Sequence, residues 1–288
     1  MPATRKKTVR FAENQQEPIV LTKIFIFLLG LSPDIKRTLW RWWYQFLVNY
    51  NQQPDWRFMN YGFVPLEPDI SELNLTEEDE NDRYFIHLYH HVATAVNLKG
   101  KQVLEVGSGR GGGAAYVARY LESDRLIGVD FSENNIQLSR KIYQLPNLSF
   151  QQGDAEALPF ENDVFDVVLN VESSHCYGSM EGFVKEVNRV LKPGGIFSWA
   201  DFRSLEEVAV LKQIFEHSGL KQIKANEITS NVLGALDLMD ESRKNFIQTH
   251  SPPFLKGAIQ EFAAVKDSNF YESFQTGKVV YLSYVFEK

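Results

Sequence analysis

At 288 residues, 44% apolar and 13% aromatic, the chain has material for one sizeable core plus an insertion or cap. Its formal net charge of -7 argues against nucleic acid as a partner, because neutralising a phosphate backbone takes clustered Lys and Arg. A single cysteine, Cys176, excludes an internal disulfide framework and any multi-cysteine zinc site, and suits a reducing, cytoplasmic location.

Residues 1–17 are polar and carry Arg5, Lys6, Lys7 and Arg10, which reads as a disordered basic tail. The apolar run 19–31 is shorter than the ~20 residues that span a bilayer, contains Lys23, and is followed by no small-residue cleavage pattern. A core-covering helix is the expectation there, with peripheral membrane contact through 19–50 as the alternative. In 34–50, Leu39, Trp42, Trp43, Phe46, Leu47 and Tyr50 recur at helical spacing and give one aromatic face. Pro54 and Gly62 break 51–62, whose Trp56, Phe58, Met59 and Tyr61 read as an aromatic loop. Together 18–66 is expected to cap the main domain. The stretch 67–81, with the run Glu77-Glu-Asp-Glu80, reads as a solvated acidic linker whose end caps the next helix.

The main domain, 82–288, is regular. A helix over 82–96 leads to a strand at 102–106, a glycine-rich turn and a helix at 112–121. Strand 125–129, helix 133–142, strands 148–152 and 165–170, helix 181–190, a Lys192-Pro-Gly-Gly195 turn and strand 196–200 follow. Helix 205–218, strand 221–227, a helical insertion over 230–265 broken at Pro252 and Pro253, and a β-branched, aromatic strand 278–286 complete the pattern. Strands alternating with helices imply a largely parallel sheet covered on both faces.

Gly107-x-Gly109-x-x-Gly112 lies between a strand and a helix, where glycines allow a tight turn and a ligand against the helix N-terminus. Asp130 ends the next strand, placed to take both hydroxyls of a ribose. These residues point to a nucleoside ligand and leave its identity open. Asp154 and Ala155, after the third strand, could hold an adenine through a carboxylate and a backbone N–H. The strand 165–170 ends in polar Asn170 and Glu172 at the carboxyl edge, where open α/β sheets bind ligands. His87 and His91 lie four apart on one helix, but no glutamate pattern completes a zinc site, so no metal is expected. Cys176 beside His175 is not expected to act as a nucleophile, since sequential neighbours on an extended chain point apart.

The ordered series Leu104-Glu-Val-Gly-Ser-Gly109, Val129-Asp130, Gly153-Asp-Ala155, Leu158-Pro-Phe160, Phe165-Asp166 and Arg189-Val-Leu-Lys-Pro-Gly-Gly195 resembles the successive motifs of class I S-adenosylmethionine-dependent methyltransferases. The resemblance implies a Rossmann-like seven-stranded methyltransferase sheet with six strands parallel and the last antiparallel. It also implies cofactor contacts from Glu105, Gly107, Ser108, Gly109, Asp130, Phe131, Asn135, Asp154, Ala155 and Asn170. A narrower likeness, carried by His87-Leu-Tyr-His90, Gly111-Gly-Gly113-Ala, Asn170 to Tyr177, Ala200-Asp-Phe-Arg203, Trp40 to Tyr44 and Asn60-Tyr61, is to the mycobacterial phthiotriol and phenolphthiotriol dimycocerosates methyltransferases, which O-methylate a lipid hydroxyl. The basic tail and the run through Leu31 stand outside it. A more distant likeness is to natural-product O-methyltransferases, whose His after strand four and Asp after strand five lie by the acceptor; here these are His175 and Asp201. A neutral imidazole suits the task, because an alcohol attacks a sulfonium methyl poorly unless its proton is removed.

The expectation is therefore methyl transfer to a hydroxyl on a hydrophobic small molecule or lipid, under a lid of aromatic N-terminal helices and the 230–265 insertion. Transfer to carbon or nitrogen of a sterol- or quinone-like acceptor is the first alternative. A nicotinamide oxidoreductase would need a hydride-acceptor site that the sequence does not offer, and a non-catalytic nucleotide-binding module remains a third reading.

Overall fold

Alternating apolar side chains send each strand's residues to two opposite cores. Val103, Val167, Leu169, Ala200 and Tyr281 face one side; Leu104, Val106, Val168, Phe197 and Trp199 face the other. The computed structural model describes residues 56–66 and 73–288. Readings that fall on 1–55 and 67–72, among them the basic tail, the membrane-contact segment 19–50 and most of the cap, lie outside the described residues. No described helix is long and apolar enough to cross a membrane.

The sheet has seven strands: β1 (Gln102–Val106), β2 (Arg125–Asp130), β3 (Leu148–Gln152), β4 (Phe165–Val171), β5 (Leu191–Ser204), β6 (Lys221–Glu227) and β7 (Val279–Glu287). Their order is β3-β2-β1-β4-β5-β7-β6. The pairs β2·β3, β1·β2, β1·β4 and β4·β5 are parallel, and β7 runs antiparallel to both β5 and β6. This is the Rossmann-like methyltransferase sheet that the motif order implies. Its order reverses between β1 and β4, and such a crevice outside the carboxyl ends is where open α/β sheets bind ligands.

Helices α1 (Glu77–Glu80), α2 (Arg83–Ala93), α3 (Gly112–Tyr120) and α4 (Glu133–Ile142) precede β3; α5 (Met180–Val190) and α6 (Leu205–Glu216) flank β5. The α5 and α6 apolar stripes, with Phe183, Val187, Leu211 and Phe215, cover one face of the sheet. On the other lie α2 and α3 with the insertion, α7 (Thr229–His250), α8 (Lys256–Phe262) and α9 (Asn269–Gln275). Two features differ from expectation. The Lys192-Pro-Gly-Gly195 segment is an irregularity inside β5 and not a free turn: Gly194 (φ 76°) donates to Lys288 O at 2.8 Å, so the ladder reaches back to Leu191. Helix α9 has no counterpart among the predicted elements.

Candidate active site

Strand β1 must break sharply for α3 to begin, and the break is written in glycine. Gly107, Gly109 and Gly111 hold φ of 76°, 51° and 82°, a region costly to side chains with a Cβ. A Cβ on Gly107 would meet Ser173 Oγ at 2.3 Å. The turn is tied to β2: Gly107 and Ser108 donate their N–H groups to Val129 O at 2.8 and 2.9 Å, and Gly109 N–H donates to Asp130 Oδ2 at 2.9 Å. Asp130 Oδ1 accepts from Ser132 N–H (2.9 Å) and the Asn135 amide (3.1 Å). Burial pushes this carboxyl's pKa up, and those three donors oppose the rise.

The turn forms one wall of a cleft of about 1090 Å³, its open mouth included. Of the ten candidate cofactor residues, Gly107, Ser108, Gly109, Asp130, Phe131, Asn135, Asp154 and Ala155 line it. Glu105 and Asn170 stand behind the wall. Glu105 is reached through Tyr89, whose hydroxyl donates to Oε1 at 2.8 Å; burial pushes this acid up to about 8. Asn170 fastens the same wall through Val106 O (2.8 Å) and Ser173 Oγ (2.8 Å). Glu105 Oε2, Ser108 Oγ, Asn135 Oδ1 and Asn170 Oδ1 are buried and have no hydrogen-bond partner among the described residues. Each such group costs ~1–3 kcal/mol while unsatisfied, so a ligand rich in donors fits this wall, and an amino-acid nucleoside has the ammonium and hydroxyl groups required.

A strap, residues 56–66, closes the cleft from above. It is the aromatic loop expected of 51–62, extended and largely buried, and within the described residues nothing of it is helical. Arg57 anchors its start: the guanidinium bonds Asp82 at 2.6 Å and Asp79 at 2.9 Å, with Glu78 at 3.1 Å. Met59 lies over Gly109 and the Arg57 carbonyl over Gly112, so neither glycine has room for a side chain. Trp56 covers the Arg110 guanidinium at 5.0 Å. At its far end Tyr61 N–H donates to Glu172 Oε2 (2.9 Å) and Val64 N–H to Asn231 O (3.1 Å). Arg243 of α7 binds the carbonyls of Ala263 and Asn60. The insertion thus reaches the cleft by holding the strap, and none of its described residues lines the cavity. The acidic run departs from the solvated linker expected of it: Asp79 is buried and also bonds Arg119 (2.5 Å) and Tyr120 (2.7 Å).

His175 and Asp201 meet beyond the cleft's inner end. His175 Nδ1 lies 2.9 Å from Asp201 Oδ1, and the ring stacks on Phe202 with centroids 4.3 Å apart. Asp201 is fully buried and also accepts from Ser174 Oγ (2.7 Å) and His175 N–H (2.9 Å), with Arg203 Nη1 at 3.1 Å. Burial alone would raise this acid; His175 and Arg203 hold it well below the usual carboxylate range. Burial opposes charge on His175, but Cys176 and Asp201 outweigh it and push the imidazole up to about 10. The Cys176 thiol therefore does not point away as an extended chain would require. Ser174–Cys176 is a 3-10 turn that brings the thiol to His175. Cys176 and Tyr177 line the cleft, and His175 sits behind them. His91, offered above as half of a metal pair, bonds Ser283 at 3.1 Å and stacks on Phe63; among the described residues no group of three ligands is arranged for a metal.

Residues 104–199 match the family "Methyltransferase domain". The whole chain is 37% identical over 271 residues, 94% of its length and all of the relative's, to the phthiotriol/phenolphthiotriol dimycocerosates methyltransferase of Mycobacterium leprae (strain TN). The chain belongs to this methyltransferase family. It is an S-adenosylmethionine-dependent enzyme, and the glycine cleft with its unsatisfied donors and acceptors fits that cofactor. An alignment of that length reaches into the first 31 residues, farther than the motifs had suggested. A fatty-acid O-methyltransferase of Mycolicibacterium smegmatis is 34% identical over 85% of the enzyme and 88% of the relative. In fold, it is similar to geranyl diphosphate C-methyltransferase from Streptomyces coelicolor A3(2), with a TM-score of 0.60 and 16% identity over 85% of this chain and 97% of that one.

Met59, Glu172, Ser173 and Tyr177 also line the cavity, and none of these four is among the expected cofactor contacts; Tyr89, whose helix position beside His90 suggests packing near the cofactor or sheet, lines it too. Of the four, Glu172 carried the one usable signal, an acid at a strand's carboxyl edge. Met59 comes from a segment before β1 that no local pattern connects to the glycine turn.

Proposed function

We propose that the enzyme methylates a hydroxyl oxygen on a long, lipid-like acceptor, with His175 as the proton acceptor and Asp201 as the residue that orients it. The observation that carries this reading is the 2.9 Å His175–Asp201 pair, set behind Cys176 and Tyr177 of the cleft wall. When bound, S-adenosylmethionine supplies an electrophilic methyl group on a sulfonium. The buried Asp201 carboxylate fixes the imidazole by Nδ1 and stabilises the imidazolium formed as the hydroxyl proton is taken. The strap and the cleft's apolar wall exclude water from the reacting oxygen. The lipid and fatty-acid names of the relatives support an acceptor of that class.

One observation favours a second reading. An imidazole pushed up to about 10 carries its proton at neutral pH. A protonated His175 would dock an anionic acceptor such as a fatty carboxylate, which needs no base. Turnover of labelled methyl donor with a long-chain alcohol and with a fatty acid separates the two. Under the first reading His175→Ala lowers kcat on the alcohol by ~10²–10⁴-fold and leaves S-adenosylhomocysteine affinity unchanged. In wild type, kcat/KM on the alcohol then climbs as pH rises toward about 10. Under the second, the fatty acid is the better acceptor and its kcat/KM falls as pH passes about 10. Equal turnover of the alcohol by wild type and His175→Ala overturns the base assignment.

A further inference from the structure

Four acids line the cofactor cleft, and three of them serve the local backbone. Asp130 is held by three donors, Asp154 Oδ1 accepts from Glu156 N–H at 3.0 Å, and Glu156 Oε1 accepts from Gly178 N–H at 2.8 Å. The fourth, Glu172, is different. It follows the last residue of β4, keeps the ladder through its N–H to Ala200 O (2.8 Å), and holds φ of 47°, a strained value for a residue with a side chain. Its Oε2 accepts from Tyr61 N–H of the strap at 2.9 Å and from the Tyr281 hydroxyl of β7 at 2.8 Å. Two donors from two elements fix the carboxyl in the wall so that it cannot swing out to water. It is 9% exposed and forms no ion pair among the described residues.

A buried carboxylate without a cation is costly, and it is stabilised when one arrives. Among the described residues, no facing group makes a direct ion pair with Glu172. Tyr61, Tyr281 and Tyr89 are phenols whose proton affinity its charge only raises. Arg243 is a buried cation whose charge is felt at Glu172, but its guanidinium binds the carbonyls of Ala263 and Asn60 and makes no ion pair with the carboxyl, and His175 is paired with Asp201. The methyl donor brings a fixed positive charge into this cleft, and the demethylated product lacks it.

We propose that Glu172 is a donor-binding residue that reads the sulfonium charge: it gives up its proton when S-adenosylmethionine binds and keeps it when S-adenosylhomocysteine binds. The carboxyl thereby favours the charged donor over the neutral product and loosens its hold once the methyl group has left. Burial holds Glu172 at about 8, so the proton is present at neutral pH and available for release.

Titration calorimetry of the full enzyme at pH 7, in phosphate and in Tris, counts that proton. Close to one proton is released per S-adenosylmethionine, close to one with sinefungin, whose amine is a cation at the same place, and none with S-adenosylhomocysteine. The donor-to-product affinity ratio rises roughly tenfold per pH unit up to about 8 and levels above it. Glu105, also raised, stands behind the wall, and loss of the pH dependence in Glu172→Gln assigns it to Glu172 and not to Glu105. Glu172→Gln retains an amide oxygen for Tyr61 and Tyr281; it leaves product affinity and melting temperature unchanged, abolishes the proton release and lowers the ratio at pH 8 at least tenfold. A merely structural Glu172 would move stability and leave the ratio alone. Should Glu172→Gln not fold, the wild-type measurements decide by themselves: a ratio that is flat from pH 6 to 9, or equal proton release with donor and product, overturns the proposal.

Discussion

Asp201, Glu105 and His175 are buried within one sheet edge, and their neighbours drive their proton affinities apart. Asp201 has a histidine and an arginine within reach and stays ionised; Glu105 is raised by burial and by the nearby Asp130, against one phenol that lowers it, and holds its proton. His175, raised to about 10 against an ordinary value of 6.5, contributes stability that is fully present below about 6.5 and fades as pH rises to about 10. Cys176 and Asp201 raise the imidazole together, and Asp201→Asn removes the second of them, so the alkaline decline in its melting temperature should be smaller than in wild type; parallel declines in thermal melts from pH 6 to 10 would contradict this. At Gly107 the backbone allows no side chain, and Gly107→Ala is expected to weaken S-adenosylhomocysteine binding by at least tenfold in calorimetry, because the new Cβ drives against Ser173 and Tyr177. Gly107, Gly109 and Asp130 were readable in the sequence because spacing alone places them at consecutive strand ends. Glu172 was readable only as a polar residue at an edge, since its meaning depends on Tyr61, which lies 111 positions earlier.

The strap shows what a pattern of residue types leaves out. Trp56, Phe58 and Tyr61 announced an aromatic loop, but the loop is held in place by charge, through Arg57 and the acids of α1 and the turn before α2. A run of four acids reads as solvated because three of the four are exposed; Asp79 alone turns inward, toward cations at 57 and 119 that the linear sequence does not join. Arg57→Met leaves Asp82 buried without its cation and halves the support of Asp79. A loss of ~3–5 kcal/mol in denaturant unfolding is expected, with a raised KM for the methyl donor. Unchanged stability would mean that the ion pairs are not what anchors the strap. Helix α9 escaped the sequence reading for a related reason: seven residues carry too little periodicity to stand out, and Tyr271 and Phe274 reveal their burial only against Tyr61 and β7.

At the scale of the molecule, the motif order was enough to give the sheet, because each motif sits at a strand end and strands succeed one another by right-handed crossovers. The antiparallel direction of the last strand is implied by the resemblance and not by periodicity, and its place between β5 and β6 is seen only in the structure. It is a demanding arrangement: β7 completes the ladders of both neighbours and buries Tyr281, Tyr284 and Phe286. A chain stopped after Gly277 should lose its near-ultraviolet circular dichroism and show no cooperative melt; a native-like melt would contradict the topology. The same arrangement orders events in time. While the chain is being synthesised, β5 leaves the ribosome with one edge unpaired and β6 with neither edge paired, α6 lying between them, and neither can find β7 until the insertion and the segment beyond Gly277 have emerged. Five of the seven strands can assemble as they appear; the part where His175, Asp201 and Glu172 meet must wait for β7, and until then its open strand edges are exposed to wrong pairing.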